Sequence, residues 1–529
     1  MKRKEVSLLL TLFFLFGILC SCTQAAQENR NESSAIAYNE QMIVGSANED
    51  FGEYPNYNES VDFSDVSVPL TSEMPSHTSS SKPHGDKNTS IYISSENAGT
   101  SSVTTNSSVV SAGKPTSSKV SSVSSSTKPL EDTGTTVNYS KMKAVWVSYL
   151  DLASILTGKT ESQFRSNFKR VCQNCSNFGV NTIICHVRSF GDAIYPSEYF
   201  AWSQMAAGVG KNPGYDPLKI MIEIAHEYDL SFHAWINPFR TFTTTQVSAV
   251  PSTTTFKKWY NDSTKKGKYI VQNGTRWYYN PGYPEVRELI VNGVKEIINN
   301  YKVDGIHFDD YFYPTTDAAF DIDAFSKYGS GKTLANFRRD CVSQLVKSVY
   351  NAVNAKNKNI LFGVSPDANV DNDINVQYAD VKLWGAQNGY VDYLCPQIYY
   401  SYKSESKDFA STLSSWNSLV TASNVKLMVG LGCDRVGWKS DTWACSNKSH
   451  TSSTTNCGKF GWQTTTPTKS NILATQYKDA MAAKKCSGVF LYRYEYLFNI
   501  ELYKDSATYV SNAFEQAKYE MQNLKAAMN

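Results

Sequence analysis

The chain has almost no net charge: its 51 Lys and Arg face 49 Asp and Glu, which leaves +2 at pH 7. Without a basic excess to release counterions from a phosphate backbone, nucleic acid is not expected as a partner. Glycine-rich phosphate loops are also missing, because Gly208-Val209-Gly210-Lys211-Asn212-Pro213-Gly214 has the spacing of neither a P-loop nor a dinucleotide turn. There is no HxH or HExxH pair, so neither a metal nor another cofactor is expected. After the first twenty residues no stretch is long and apolar enough to cross a bilayer. Cysteine gives no even disulfide framework: of eleven, Cys20 and Cys22 sit in the N-terminal segment, which leaves nine. Cys172 and Cys175 have a CxxC spacing without a second pair at metal spacing, and their surroundings read as a helix carrying Phe164, Phe168 and Val171. Cys445 and Cys457 share one polar loop and can pair if the compartment oxidises.

The N-terminus carries an address. Lys2, Arg3 and Lys4 precede an apolar stretch from Val6 to Leu19, and Leu19-Cys20-Ser21-Cys22 closes it. That layout is a secretory signal, and its last four residues resemble a bacterial lipobox. The resemblance implies cleavage before Cys22, a lipid on its thiol, and an extracytoplasmic chain anchored to the cell membrane. A plain signal peptide or an uncleaved short anchor is the alternative. Residues 23–140 are dominated by Ser, Thr, Asn and acidic side chains, too polar to offset the entropy of ordering, and are expected to be a flexible tether.

The body, residues 141–520, alternates β-branched apolar runs with helical stretches, the pattern of repeated βα units. Expected strands are Ala144 to Tyr149, Asn181 to Val187, Ser231 to Ile236, Val303 to Phe308, Ile360 to Val364, Val391 to Gln397, Lys426 to Leu431 and Gly488 to Arg493. Eight strands in this order favour a (β/α)8 barrel over an open sheet. Thr241 to Tyr279 is too long for an ordinary βα loop and is expected to fold over the barrel mouth.

The run Val303-Asp304-Gly305-Ile306-His307-Phe308-Asp309-Asp310-Tyr311 is a buried strand that stops on two acids. Period-two alternation puts Ile306 and Phe308 on one face and His307 and Asp309 on the other, which in a barrel faces inward at the catalytic rim. Other strand ends supply Arg188 and Asp192, then His233, Trp235 and Asn237, then Gln397 and Tyr399, and last Arg493 and Glu495. Acids, Arg, His, Asn and aromatic walls suit a neutral polyhydroxylated ligand. Glycosidic bonds are broken by paired carboxylates, one giving a proton and the other acting as nucleophile or base. Asp309 is the expected first member; Glu495 leads for the second, then Asp310, with Asp192 and Asp367 behind. The bland alternatives are that Asp367 caps a turn after Pro366, that Asp192 pairs with Arg188, and that Glu495 pairs with Arg493. His186, His233 and His307 end three strands, the start of a metal-dependent alternative.

Several segments together resemble the glycosyl-hydrolase-like 10 family of bacterial lipoproteins and secreted proteins. They are Lys143 to Ser148, Asn181 to Arg188 with Asp192 to Ser197, His233 to Arg240, Asp304 to Pro314, and Pro396 to Tyr399, spread over about Lys141 to Asn499. The resemblance implies a (β/α)8 fold and a glycosidase acting on peptidoglycan strands stripped of their stem peptides. It also implies Asp309 and Asp310 at the core of the site, with Arg188, Asp192, Asn237 and Tyr311 nearby. One segment departs: Ser365-Pro366-Asp367-Ala368-Asn369 stands where the family often has Ser-Pro-Phe-Gly. The expected function is therefore a glycoside hydrolase of cell-wall glycan, with Asp309, Asp310 and Glu495 catalytic. Arg188, Asp192, His233, Trp235, Asn237, His307, Tyr311, Gln397 and Tyr399 are expected to bind the polysaccharide. The alternatives are a glycosidase for a dietary or environmental polysaccharide and a non-catalytic glycan-binding lipoprotein.

Overall fold

A computed structural model describes residues 137–403, 407–438 and 462–529. The signal segment with Cys22, nearly all of the tether, and the loop carrying Cys445 and Cys457 lie outside the described residues. The strands β1 (Met142–Val147), β2 (Thr182–Arg188), β3 (Ser231–Ile236), β4 (Gly305–Phe308), β5 (Leu361–Val364), β6 (Tyr393–Leu394), β7 (Lys426–Gly432) and β8 (Cys486–Tyr492) form a closed barrel in sequence order. All neighbouring pairs are parallel, and β1 bonds to both β2 and β8. The protein is a (β/α)8 barrel.

Two faces of each strand meet two cores. Ile306 and Phe308 pack outward among the helices, in one cluster with Ile236, Phe362 and Val294. The inward side chains fill the barrel: Trp146 and Trp235 lie 6.5 Å apart, and Phe490 packs edge-on to Trp146 at 5.4 Å. Tyr393 crosses this interior over Gly363, where an added Cβ would come within 2.0 Å of the ring. The helix Glu161–Phe178 shows why the CxxC spacing is structural. It starts at a reciprocal Thr160–Gln163 capping box, stops at Gly179 with φ 91°, and buries Cys172 and Cys175 beside Phe164 and Phe168. All seven cysteines among the described residues are free and buried.

Three strand ends differ from expectation. The sixth strand is only Tyr393–Leu394, because Pro396 has no N–H to give; beyond it Gln397 bonds singly to the neighbouring chain at Asp367 and Gly430. In β2 the register slips between His186 and Arg188, which turns two residues meant to share a face to opposite sides. After β8 the chain turns at once into the short helix Tyr494–Phe498, which carries Glu495. Residues 240–279 form a three-stranded antiparallel sheet, Arg240–Thr243, Ile270–Asn273 and Arg276–Tyr279, with the helix Thr255–Asn261. It follows the carboxyl end of β3, and its first residue, Arg240, reaches the cleft.

Candidate active site

The carboxyl ends of the strands surround a cleft with about 950 Å³ of empty space, counting its mouth out into solvent. Asp309 and Asp310 are both in its wall, together with Trp235, Tyr311, Gln397 and Tyr399. Asp309 is buried and held on both oxygens. Oδ2 accepts from Trp235 Nε1 at 3.0 Å, and Oδ1 accepts from Asn237 Nδ2 and the Tyr311 amide, each at 3.2 Å. Asn237 is fixed in turn, since its Oδ1 accepts from the Arg240 amide at 3.0 Å. Asn237 thus acts from behind the wall, by orienting Asp309.

Burial raises both acids of the pair, but unequally. Against it, Asp309 has the charge of Arg240 and its three donors. Asp310 is pushed up to about 7 by burial, by the charge of Asp309 and by that of Asp367, and only Gln397 and a backbone amide work against this. Asp310, with fewer groups favouring its charged form, is therefore the member of the pair that still holds a proton part of the time near neutral pH. Two neighbouring carboxyls in unequal environments are the kind of pair from which an acid and a base can be drawn.

His186 completes the floor. Its ring stacks on Trp235 with centroids 3.4 Å apart, and its Nδ1 accepts the Tyr149 amide at 3.2 Å. The proton of the neutral ring therefore sits on Nε2, which faces Asp309 Oδ2 at 3.9 Å. Burial, with the charges of Arg240 and His307, keeps this imidazole well below its ordinary pKa.

Several expected residues lie elsewhere. Glu495 is outside the cleft wall; its Oε2 accepts from Arg493 at 2.8 Å, and the same guanidinium nitrogen reaches Asp151 at 2.7 Å. The pairing with Arg493, rather than a role as second carboxylate, describes it. Arg188 is corrected as well: after the slip in β2 it points out of the barrel, 4.0 Å over the Phe200 ring, into space left by Gly293, where a Cβ would lie 2.5 Å from its Nη1. Asp192 accepts the Ser189 and Phe190 amides and shapes the loop after β2. Asp367 accepts the Asn369 amide and Asn372 Nδ2 and so caps the turn after Pro366, its charge still felt by Asp310.

His233 and His307 are inward but lie beneath the cleft. Both hydrogen-bond the Tyr393 hydroxyl, at 3.2 and 2.9 Å, and His307 also meets Ser365 Oγ at 3.0 Å and Trp146 Nε1 at 3.2 Å. His233 reaches Asn138 at the opposite end of the barrel. The three histidines therefore do not converge, and no group of three or more His, Cys, Asp or Glu among the described residues is placed to hold a metal.

The wall also includes Arg493, one of the strand-end residues, and residues that sequence reasoning did not offer for the site: Tyr149, Arg240, Asp434 and Arg435. A signal existed for two of them. Asp434 and Arg435 come one residue after β7, the one late strand from whose end no candidate was drawn. Arg240 needed the structure, because three residues separate it from the end of β3.

The family profile described as glycosyl hydrolase-like 10 matches residues 141–444. The chain is similar to "Glycosyl hydrolase YngK" of Bacillus subtilis (strain 168), 32% identical over 320 residues, covering 55% of this chain and 60% of that protein. It is similar to "Glycosyl hydrolase DigH" of Escherichia coli (strain K12), 29% identical over 325 residues, covering 56% of this chain and 74% of that protein. The chain thus spans about three fifths of the length of the Bacillus relative. Among solved structures it resembles alpha-L-fucosidase isoenzyme 2 from Paenibacillus thiaminolyticus at 13% identity and TM-score 0.41, covering 73% of this chain and 49% of that one.

Proposed function

The chain belongs to the glycosyl hydrolase-like 10 family, and from that premise we propose that it is a glycoside hydrolase cutting cell-wall glycan, namely peptidoglycan strands without stem peptides. Its place of work is outside the cytoplasm, on a lipid carried by Cys22. The observation that carries the enzymatic reading is the split between Asp309 and Asp310. Asp310, with its pKa near 7, gives its proton to the leaving glycosidic oxygen. Asp309, fixed by Trp235, Asn237 and the Tyr311 amide, acts as the carboxylate that faces the positive charge building at the anomeric carbon, as nucleophile or as base to a water. Its donors are in place before the reaction, so little reorganisation is needed as that charge develops. Tyr149, Tyr399 and Tyr492 give the cleft ring faces for sugars.

The test is a count of new reducing ends after incubation of the purified protein with stem-peptide-free cell-wall glycan, intact peptidoglycan and a neutral plant mannan. The proposal expects release from the stripped glycan above both others. Release from mannan alone would favour the environmental-polysaccharide reading. Binding to glycan without release from any substrate would favour a non-catalytic lipoprotein.

A further inference from the structure

Three of the cleft's wall residues are arginines, Arg240, Arg435 and Arg493. Two have acids of their own: Arg435 pairs with Asp434 at 3.3 Å, and Arg493 with Asp151 and Glu495 at 2.7 and 2.8 Å. Arg240 differs. It is 7% exposed, its guanidinium sits 4.5 Å from the ring centroids of both Phe190 and Tyr311, and its Nε finds no hydrogen-bond partner among the described residues.

The acid whose charge acts on this group, Asp309, gives it no hydrogen bond. Both Asp309 oxygens are taken up by Trp235, Asn237 and the Tyr311 amide. A second cation lies alongside: Arg276 is 4.6 Å from the same Phe190 ring. Burial and the charge of Arg240 together push Arg276 down to about 10. A buried guanidinium without a hydrogen-bond acceptor is costly, and one held between aromatic rings presents donors that a carboxylate can take.

We propose that Arg240 anchors a carboxylate borne by the substrate sugar, so that the glycan cut in this cleft is an acidic one. This rests on the reading of the cleft as a glycosidase site and gives that reading its substrate class. It also supplies a reason for a preference for stripped strands. The lactyl carboxyl of a muramyl residue is a neutral amide while the stem peptide is attached and a free carboxylate once it is gone.

The experiment compares the wild-type protein on stripped cell-wall glycan with the same glycan after carbodiimide amidation of its carboxylates, which makes no demand on a variant's folding. Amidation is expected to raise KM by roughly 10–100-fold, the range of a charge-assisted hydrogen bond, while kcat changes far less. Arg240→Gln should show the same rise in KM on untreated glycan, and amidation should then cost it little more. Equal wild-type KM values on the two glycans would overturn the anchor while leaving the enzyme assignment in place. So would an Arg240→Gln loss confined to kcat and equal on both, which would make Arg240 a positioning residue for Asp309. Cleavage of neither glycan by the wild type would instead remove the function proposed above, and the anchor with it.

Discussion

Trp235 donates its indole N–H to Oδ2 of Asp309 across 3.0 Å, and the same indole is stacked on His186. The hydrogen bond joins β3 to the end of β4 and fixes the carboxylate in the floor of the cleft. Trp235→Phe keeps the stacking surface and removes the donor. It is predicted to lower kcat by ~10–100-fold with little change in KM, the loss expected for one hydrogen bond to a charged group. The acid limb of the pH–rate profile should also move upward, because Asp309 loses a group that favours its ionised form. A variant with unchanged kcat and an unmoved limb would show that the contact is only packing.

Asp310 sets the other limb. Its carboxyl is raised from 3.8 to about 7, so activity that needs its proton falls as pH rises through that region. The stability consequence has the opposite sign to that of an ion-paired acid. The folded chain holds this proton more tightly than the unfolded one, so the contribution is favourable at low pH and is lost between about 4 and 7. Asp310→Asn should therefore match the wild type near pH 4 and be the more stable protein above pH 7, by ~1–2 kcal/mol once its partial exposure to solvent is discounted. Thermal melts at the two pH values check this, and a variant less stable than wild type at pH 8 would contradict it.

Glu495 offers the reverse prediction. Its carboxylate hydrogen-bonds Arg493 and does not line the cleft. Glu495→Gln keeps the shape and weakens one ion pair. Turnover should fall by less than ~10-fold, against the hundredfold or more expected for a catalytic carboxylate. A loss as large as that of Asp309→Asn, in a variant with wild-type melting, would return Glu495 to the catalytic pair.

Beneath the site, Gly363 makes room for the Tyr393 ring, whose hydroxyl hydrogen-bonds both His233 and His307. A methyl group there meets the ring at 2.0 Å. Gly363→Ala is predicted to cost roughly 1–3 kcal/mol, as overpacking does in close-packed cores. Urea titration reads the loss directly, and a midpoint equal to wild type would mean the barrel interior yields more easily than its packing implies.

The barrel was legible because each of its strands is a run of β-branched or aromatic residues with helical stretches between, and because alternation in β4 correctly pointed Asp309 inward. What the sequence hid were departures from alternation. One slipped residue in β2 sends Arg188 to the outer face, although His186, two residues earlier, faces the cleft. The helix that begins at Tyr494 carries Glu495 away from the cleft into a pairing with Arg493. His233 and His307 alternate as expected, yet inward is not the same as upward: both lie below the catalytic layer, against Tyr393. Alternation reports a face and says nothing of depth, and Arg240, beyond the end of its strand, is invisible to it.

The most direct measurement compares reducing-end release from stripped cell-wall glycan by the wild type and by Asp309→Asn, at matched circular dichroism and melting temperature. The account predicts release by the wild type and a loss of roughly a hundredfold or more in the variant, with glycan binding retained. Undiminished release by Asp309→Asn would contradict it.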